Sequence, residues 1–395
     1  NYSLLRWFVA PRKRIKIIRS FLFSAGIVFF FFGFIEVVFR FSGFEPVFHY
    51  KAYSIPSWME ELDPVVLEKY QRYVAGQGFV NEDVYAYKPD LRYGYKLKPN
   101  ISITVRNYSS AFVVDKLPPW TIVSDTKGFR VPSSGEAKTE AKTLHVLGDS
   151  SSFGWGVDYE KTYPSLLVEK LNANTSSSSV RFKLRNLSLP GFSSFQGKLM
   201  WQELGEVKND DWVILSFGWN DSFPSHQTDR RQFESRNSLA GKVSWNMRQI
   251  LLFRWMRTWR LLEPGLVQKK DIGKRVPVKQ YRKNLEALVE GVRKKGAKPV
   301  LVSVCNFAEY QDTARQTAGN KKIPFFNFPS ALEPFLPTVH DRFPDQFVTY
   351  FEAYGEGMEA NPMLVFLFPD RCHPNEIGHG LMAEVLFAVF EREAL

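Results

Sequence analysis

The sequence predicts an α/β fold in which a parallel sheet carries helices on both faces, preceded by one membrane-spanning helix and a strand-rich extension. Three observations lead there. From Thr143 onward, strand-like runs at 143–148, 180–187, 212–217, 299–304 and 364–368 alternate with helix-like runs at 163–171, 195–204, 278–295 and 376–393. Such alternation marks βαβ units and a parallel sheet. Residues 21–39 form a long apolar run that is basic on one flank only. Between these two regions, residues 41–142 show strand and turn signals and no long helical period.

The bulk composition narrows the classes. The chain has 395 residues, 44% hydrophobic and 24% charged, which excludes a disordered chain and a polytopic membrane protein. Its length allows one large domain or two modest ones with a sizeable core. The net charge of +11 is not gathered into one stripe, and part of it precedes the apolar run, so nucleic acid is not an expected partner. A high content of Phe (35) with 10 Trp suits thick aromatic packing or a membrane-facing surface.

Each segment follows in chain order. Residues 1–19 are basic, with Arg6, Arg12, Lys13, Arg14, Lys16 and Arg19 and no acid. Residues 20–40 form the anchor, because roughly 20 residues at about 1.5 Å rise span a bilayer core of about 30 Å. The positive-inside rule places the N-terminus in the cytoplasm and the remainder outside, in a bacterial periplasm or at the cell surface. A cleaved signal peptide is the competing reading; the run is long for one, and no small-x-small site follows. Glu36 and Arg40 stand one helical turn apart and read as a pair at the outer interface. The strand-rich extension occupies 41–142, with runs at Ile101–Val105 and Ala111–Val114, and ends in the polar loop Ser133–Lys142. The main domain covers 143–395 and contains an insertion at 222–277. Within that insertion, Trp245–Arg260 is aromatic and basic without an acid. It reads either as an amphipathic helix on a membrane surface or over a site, or as a helix packing the insertion onto the domain.

Four short blocks fall at carboxyl ends of the expected strands, where sites gather in folds of this kind. Gly148-Asp149-Ser150 follows the first strand. Alone it also fits an ordinary turn, and the G-x-S-x-G elbow is absent because Ser152 stands at its second Gly. Gly191, in Leu189-Pro190-Gly191-Phe192, can offer a backbone N–H after the second strand. Gly218-Trp219-Asn220-Asp221 follows the third, and a side-chain amide at a strand end suits an oxyanion donor. Asn220-Asp221-Ser222 is also a formal glycosylation sequon. Near the C-terminus, Asp370-Arg371-Cys372-His373 places an acid three residues before a histidine. An acid so placed can hold Nδ1 and leave Nε2 for a serine.

In order and spacing over about 250 residues, these blocks resemble the SGNH, or GDSL-type, serine hydrolase superfamily. The resemblance implies a flavodoxin-like three-layer α/β/α sandwich. It implies Ser150 as nucleophile, His373 as base and Asp370 as its orienter. The oxyanion hole would comprise the Ser150 N–H, the Gly191 N–H and the Asn220 side chain. Ser151 stands where the family name has Leu. A Gly-Phe-Arg stretch at Gly128-Phe129-Arg130 resembles anchored bacterial members, some of which act in surface polysaccharide or teichoic acid acylation. In the implied strand order Cys305 and Cys372 follow neighbouring strands. A disulfide bracing the Asp370–His373 loop and two buried thiols are both open, and an oxidising compartment allows the former.

The other histidines read as follows: His379 as a helix residue beside the base, His145 as a packed core residue, His226 at the start of the insertion within reach of substrate. Two cysteines exclude a structural zinc site, and neither a metal nor a cofactor is expected. The expected activity is a membrane-anchored extracytoplasmic serine esterase working through an acyl-serine. O-acyl transfer, such as O-acetyl transfer to a cell-surface polysaccharide, needs the same residues and is the first alternative. A catalytically silent subunit of a membrane complex is the second. Expected partners are the lipid bilayer, an ester-bearing substrate with an acylated glycan among the candidates, and an acyl-transferring membrane enzyme.

Overall fold

A computed structural model describes residues 11–44, 46, 86–106, 117–133, 141–173, 181–204, 207–225, 227–247, 249–261, 273–305 and 307–394. Ala111–Val114 and His226 lie outside these residues. Helix α1 (Pro11–Phe41) contains a 24-residue apolar stretch, Ile18–Phe41, long enough to cross a membrane. Its side chains stay largely uncovered, with Phe21 and Phe29 exposed at 71% and 79%.

Two antiparallel pairs follow: β1 (Tyr87–Asp90) with β2 (Gly94–Leu97), and β3 (Ser102–Val105) with β4 (Trp120–Val123). Burial alternates along β2 and β4, as a strand with one face on a core requires. The buried side chains, among them Tyr95, Leu97, Trp120 and Ile122, join the core of the main sheet. The strand-rich region thus packs onto the sheet's own layers.

The main sheet comprises β5 (Lys142–Gly148), β6 (Phe182–Asn186), β7 (Trp212–Ser216), β10 (Lys298–Ser303) and β11 (Phe325–Asn327). Between them, β8 (Pro224–Ser225) and β9 (Gly273–Lys274) form a small antiparallel pair in the insertion. The spatial order is β11-β10-β7-β5-β6, and every neighbouring pair is parallel. Central β7 is buried throughout, which is why it reads as an unbroken apolar run rather than an alternation.

The chain first moves from β5 outward to β6, then returns past β5 to β7, β10 and β11. Right-handed crossovers in opposite directions put their helices on opposite faces. Two long helices, α3 (Tyr163–Ala173) and α14 (Glu376–Ala394), pack together on one face, and α4 (Ser194–Glu203), α9 (Val278–Lys294) and α10 (Ala308–Lys321) pack on the other. Short α2 (Ser150–Phe153) and α5 (Trp219–Ser222) open directly from β5 and β7. The reversal of strand order lies between those two strands, and at their carboxyl ends such a sheet leaves its crevice.

Two expectations need correction. Leu364–Phe368 does not enter the sheet. Pro362–Val365 is a 3₁₀ turn and Leu367 makes a single bridge, to Pro374. These residues are buried, and a short apolar run looks alike in a strand and in a packed turn; Pro362 starts the turn. The fifth strand is β11, whose three residues are too few to show a period. The expected single helix at 245–260 is also divided. The insertion carries α6 (Asp229–Asn237), α7 (Leu239–Met247) and α8 (Leu251–Leu261), with a turn at 249–250. Before α14, the chain forms α11 (Phe328–Leu332), α12 (Val339–Arg342) and α13 (Pro344–Ala360).

Candidate active site

The nucleophile segment is built from the end of β5. Gly148 has no room for a side chain, since a Cβ there would stand 2.7 Å from the Ser152 Oγ and 3.1 Å from the Ser216 carbonyl oxygen. Asp149 caps α2, its carboxylate accepting the Ser151 N–H at 3.0 Å. Gly154 ends that one-turn helix in the left-handed region, φ 81°. The tight turn leaves Ser150 at the mouth of the sheet, 6% exposed.

Arg130, the arginine of the Gly-Phe-Arg stretch, holds the same turn from beneath. Its buried guanidinium donates to the carbonyls of Phe153 and Gly154 at 2.7 Å, Val157 at 2.6 Å and Thr121 at 2.8 Å. Four charge-assisted bonds from one planar group tie the loop after Ser150 to β4. Burial lowers the pKa of Arg130 to about 10, which leaves it charged at neutral pH.

Residues 370–373 supply the opposite wall. His373 Nε2 lies 2.6 Å from the Ser150 Oγ, and its Nδ1 lies 2.5 Å from an Asp370 carboxylate oxygen. The other Asp370 oxygen accepts the N–H groups of Cys372 and His373, each at 3.0 Å. An acid so occupied fixes both the loop and the imidazole's orientation. Behind it, Asn375 donates to the Val365 carbonyl at 2.9 Å and accepts the Gly378 N–H at 3.0 Å, seating the first turn of α14. Cys305, just past β10, and Cys372 are joined as a disulfide across a separation of 67 residues.

Asn220 and Gly191 approach from two further loops. Asn220, buried in α5, donates its amide to Asp149 at 3.3 Å, which places it beside the Ser150 turn. At 2% exposure it is closed to the glycosylation that its sequon suggests. Gly191 adopts φ 78°, a conformation open to glycine. Its own carbonyl accepts from Arg275 at 2.9 Å, and the preceding carbonyl, of Pro190, accepts the Tyr95 hydroxyl at 2.5 Å. In a trans peptide the N–H points opposite to the C=O, so the Tyr95 bond fixes the direction of the Gly191 N–H.

Beneath these loops lies a buried polar cluster. Asp221 accepts both the N–H and the hydroxyl of Ser194 at the start of α4. Burial raises its pKa to about 7 and that of Asp149 to about 6. Asp229 and Arg275 pair at 2.8 Å and are nearly covered. Of the remaining histidines, His145 is buried in β5 with Nε2 3.2 Å from Asp211, remote in role from the crevice. His379 accepts the Tyr163 N–H at 3.1 Å, and burial depresses its pKa to about 3, so it stays neutral. Among the described residues no group of three or more His, Cys, Asp or Glu side chains is arranged to hold a metal.

Sequence reasoning named Ser150, Asp370, His373, Gly191 and Asn220, and the fold brings them to one end of the sheet. It missed Tyr95, Arg275 and the structural use of Asp221. Arg130 carried a signal, the Gly-Phe-Arg stretch; Tyr95 carried none, because its partner is a backbone carbonyl 95 positions away.

A serine, a histidine and an aspartate hydrogen-bonded in series at the carboxyl edge of a parallel sheet constitute the site of a serine hydrolase. Residues 146–381 match the GDSL-like lipase/acylhydrolase family, and the chain belongs to it. It is 29% identical over 112 residues to thioesterase 1/protease 1/lysophospholipase L1 of Escherichia coli K12, a match covering 28% of this chain and 50% of that protein. The chain spans about half the length of the curated relatives it matches. Among solved structures, a psychrotrophic esterase from Pseudoalteromonas sp. aligns at 17% identity and a TM-score of 0.37, covering 64% of this chain and 98% of that one. An acetylxylan esterase from Geobacillus stearothermophilus aligns at 16% identity and a TM-score of 0.38, covering 64% and 95%.

Proposed function

We propose that this chain is a membrane-anchored serine esterase that works through an acyl-serine intermediate. The observation that carries the reading is the continuous hydrogen-bond chain from the Ser150 Oγ through His373 to Asp370. His373 takes the Ser150 proton as the oxygen attacks an ester carbonyl. The Ser150 and Gly191 N–H groups and the Asn220 amide receive the developing oxyanion. His373 then protonates the leaving alkoxide and activates the acceptor that releases the acyl group. With water as acceptor the enzyme is an acyl hydrolase. The disulfide braces the base loop.

The exposed apolar face of α1 and the basic flank before it support an anchor with the catalytic region outside the cytoplasm. The division proposed is 1–19 cytoplasmic, 20–40 membrane-spanning, 41–142 a strand-rich extension, and 143–395 the hydrolase domain with its insertion at 222–277. Acyl groups on lipids or glycans are the substrate classes that the named relatives suggest.

The test is covalent labelling of the full chain with a fluorophosphonate, together with turnover of a simple aryl acetate. Ser150→Ala is expected to abolish labelling and to lower kcat by roughly 10³-fold or more. Labelling at another residue, or undiminished turnover in Ser150→Ala, would sink the proposal. Acyl gain by an added oligosaccharide would move the assignment from hydrolysis to transfer.

A further inference from the structure

We infer that the junction between α7 and α8 is a second membrane contact, with its turn resting in the lipid interface beside the outer end of α1. This rests on the anchor reading of α1 proposed above, and the lipid bilayer is the occupant.

The first argument is depth. The 24-residue apolar stretch of α1 is about 36 Å long at about 1.5 Å per residue, against a hydrocarbon core of about 30 Å. The excess is about one turn in all, and what sets the level is charge. The stretch is charged only at Arg19, Glu36 and Arg40. The 16 residues between Arg19 and Glu36 span about 24 Å, less than the core, so Glu36 and Arg40 mark its outer boundary. The two Glu36 carboxylate oxygens accept the backbone N–H groups of Leu251 at 3.1 Å and Leu252 at 2.9 Å, and Arg40 pairs with Glu36 at 2.6 Å. The first N–H groups of a helix have no partner within it, and a carboxylate there is favoured by charge as well. Helix α8 thus begins where it does because α1 caps it.

Direction is the second. Along α8, Trp255 packs edge-on to Phe39 at 5.8 Å, and Arg254 donates to the Pro46 carbonyl at 2.5 Å. From Glu36–Leu252 to Phe39–Trp255 the contacts advance three residues on each helix, so α8 runs outward with α1, while the long side chain of Arg40 reaches back to the Gln249 carbonyl at 3.4 Å. The turn before α8 therefore sits at its membrane-side end, level with Glu36.

Third is the chemistry of the exposed side chains. Met247 and Ile250 at that turn are 44% and 38% exposed, and Val243, a turn back on α7, is 58% exposed. Trp245 faces the protein and is buried, while Lys242 is exposed on the flank, where a long cation reaches headgroups. Val37, Val38 and Phe41, at the same level on α1, are likewise uncovered. One apolar medium at one depth covers both sets, which favours lipid over a protein partner. Burying each such side chain fully is worth about 1.5–3 kcal/mol.

The test uses the full chain in phosphatidylcholine/phosphatidylglycerol vesicles containing headgroup-proximal nitroxide lipids. Single cysteines are introduced as Met247→Cys, Ile250→Cys, Phe34→Cys in α1 and Asp312→Cys on the exposed face of α10, each carrying a small fluorophore. Cys305 and Cys372, joined to each other, take no label. Quenching at 247 and 250 is expected at least twofold above that at 312. If 34 is quenched while 247 and 250 match 312, the second contact is overturned and the anchor stands. Absence of quenching at 34 overturns the anchor reading, and the second contact with it.

Discussion

The two walls of the crevice are secured by different means. Ser150 leaves a central strand whose neighbours on both sides are hydrogen-bonded to it, and its turn is held by Asp149, Gly148 and the four carbonyl contacts of Arg130. His373 follows no strand of the sheet. Its loop hangs between a 3₁₀ turn and α14, secured by one bridge, by Asn375 and by the disulfide to the end of β10. A loop outside the ladder has no shared register to fix it, so a covalent link to the segment just past β10 adds to the contacts of Asp370 and Asn375. Precision on the serine side is inherited from the sheet; on the histidine side it is added.

Cutting the added link tests this difference hardest. Replacing both cysteines by serine is expected to lower stability by about 4 kcal/mol, the loop-entropy value for about 67 residues. Activity should disappear on heating before the global unfolding seen by circular dichroism. Coincident loss of both would show that the base loop needs no brace of its own.

Arg130→Met probes the other wall. Three buried carbonyls and the half-buried one of Thr121 lose their donor, and about 3 kcal/mol or more is expected by chemical denaturation of the full chain in detergent. Because the turn carries Ser150, fluorophosphonate labelling at saturating probe should slow as well. A folded variant with normal labelling would mean that the sheet alone aims the serine.

A smaller effect is expected from Tyr95→Phe. The lost hydroxyl frees the Pro190 carbonyl, at about 1 kcal/mol, and loosens the Gly191 N–H. The drop should appear in kcat, roughly 5- to 10-fold, with KM unchanged. A change confined to KM would assign Tyr95 to substrate binding.

A further change, read in pH rather than in rate, is expected at Asp221. Burial raises Asp221 to about 7 from an ordinary 3.8, so the fold favours its neutral form. The cost of ionising it is absent below about pH 4 and grows as pH rises through 7, and stability falls over that window. Asp221→Asn should flatten the decline in melting temperature between pH 4 and 7, leaving the part due to Asp149. An unchanged slope would show that Asp221 is ionised throughout.

The parallel α/β frame, the apolar helix and the order of the blocks around Ser150, Gly191, Asn220 and Asp370–His373 are legible in the residues alone. These are local signals: continuous apolar runs for doubly covered strands, glycines at turns, and an acid three residues from a histidine. Tertiary structure alone decided that Leu364–Phe368 is a packed turn and β11 the edge strand, since burial makes both look apolar. It also decided that Glu36 of α1 starts α8 and that Tyr95 steadies the Gly191 turn beside the serine. Those roles depend on backbone carbonyls and N–H groups, which every residue carries and no sequence pattern can therefore mark.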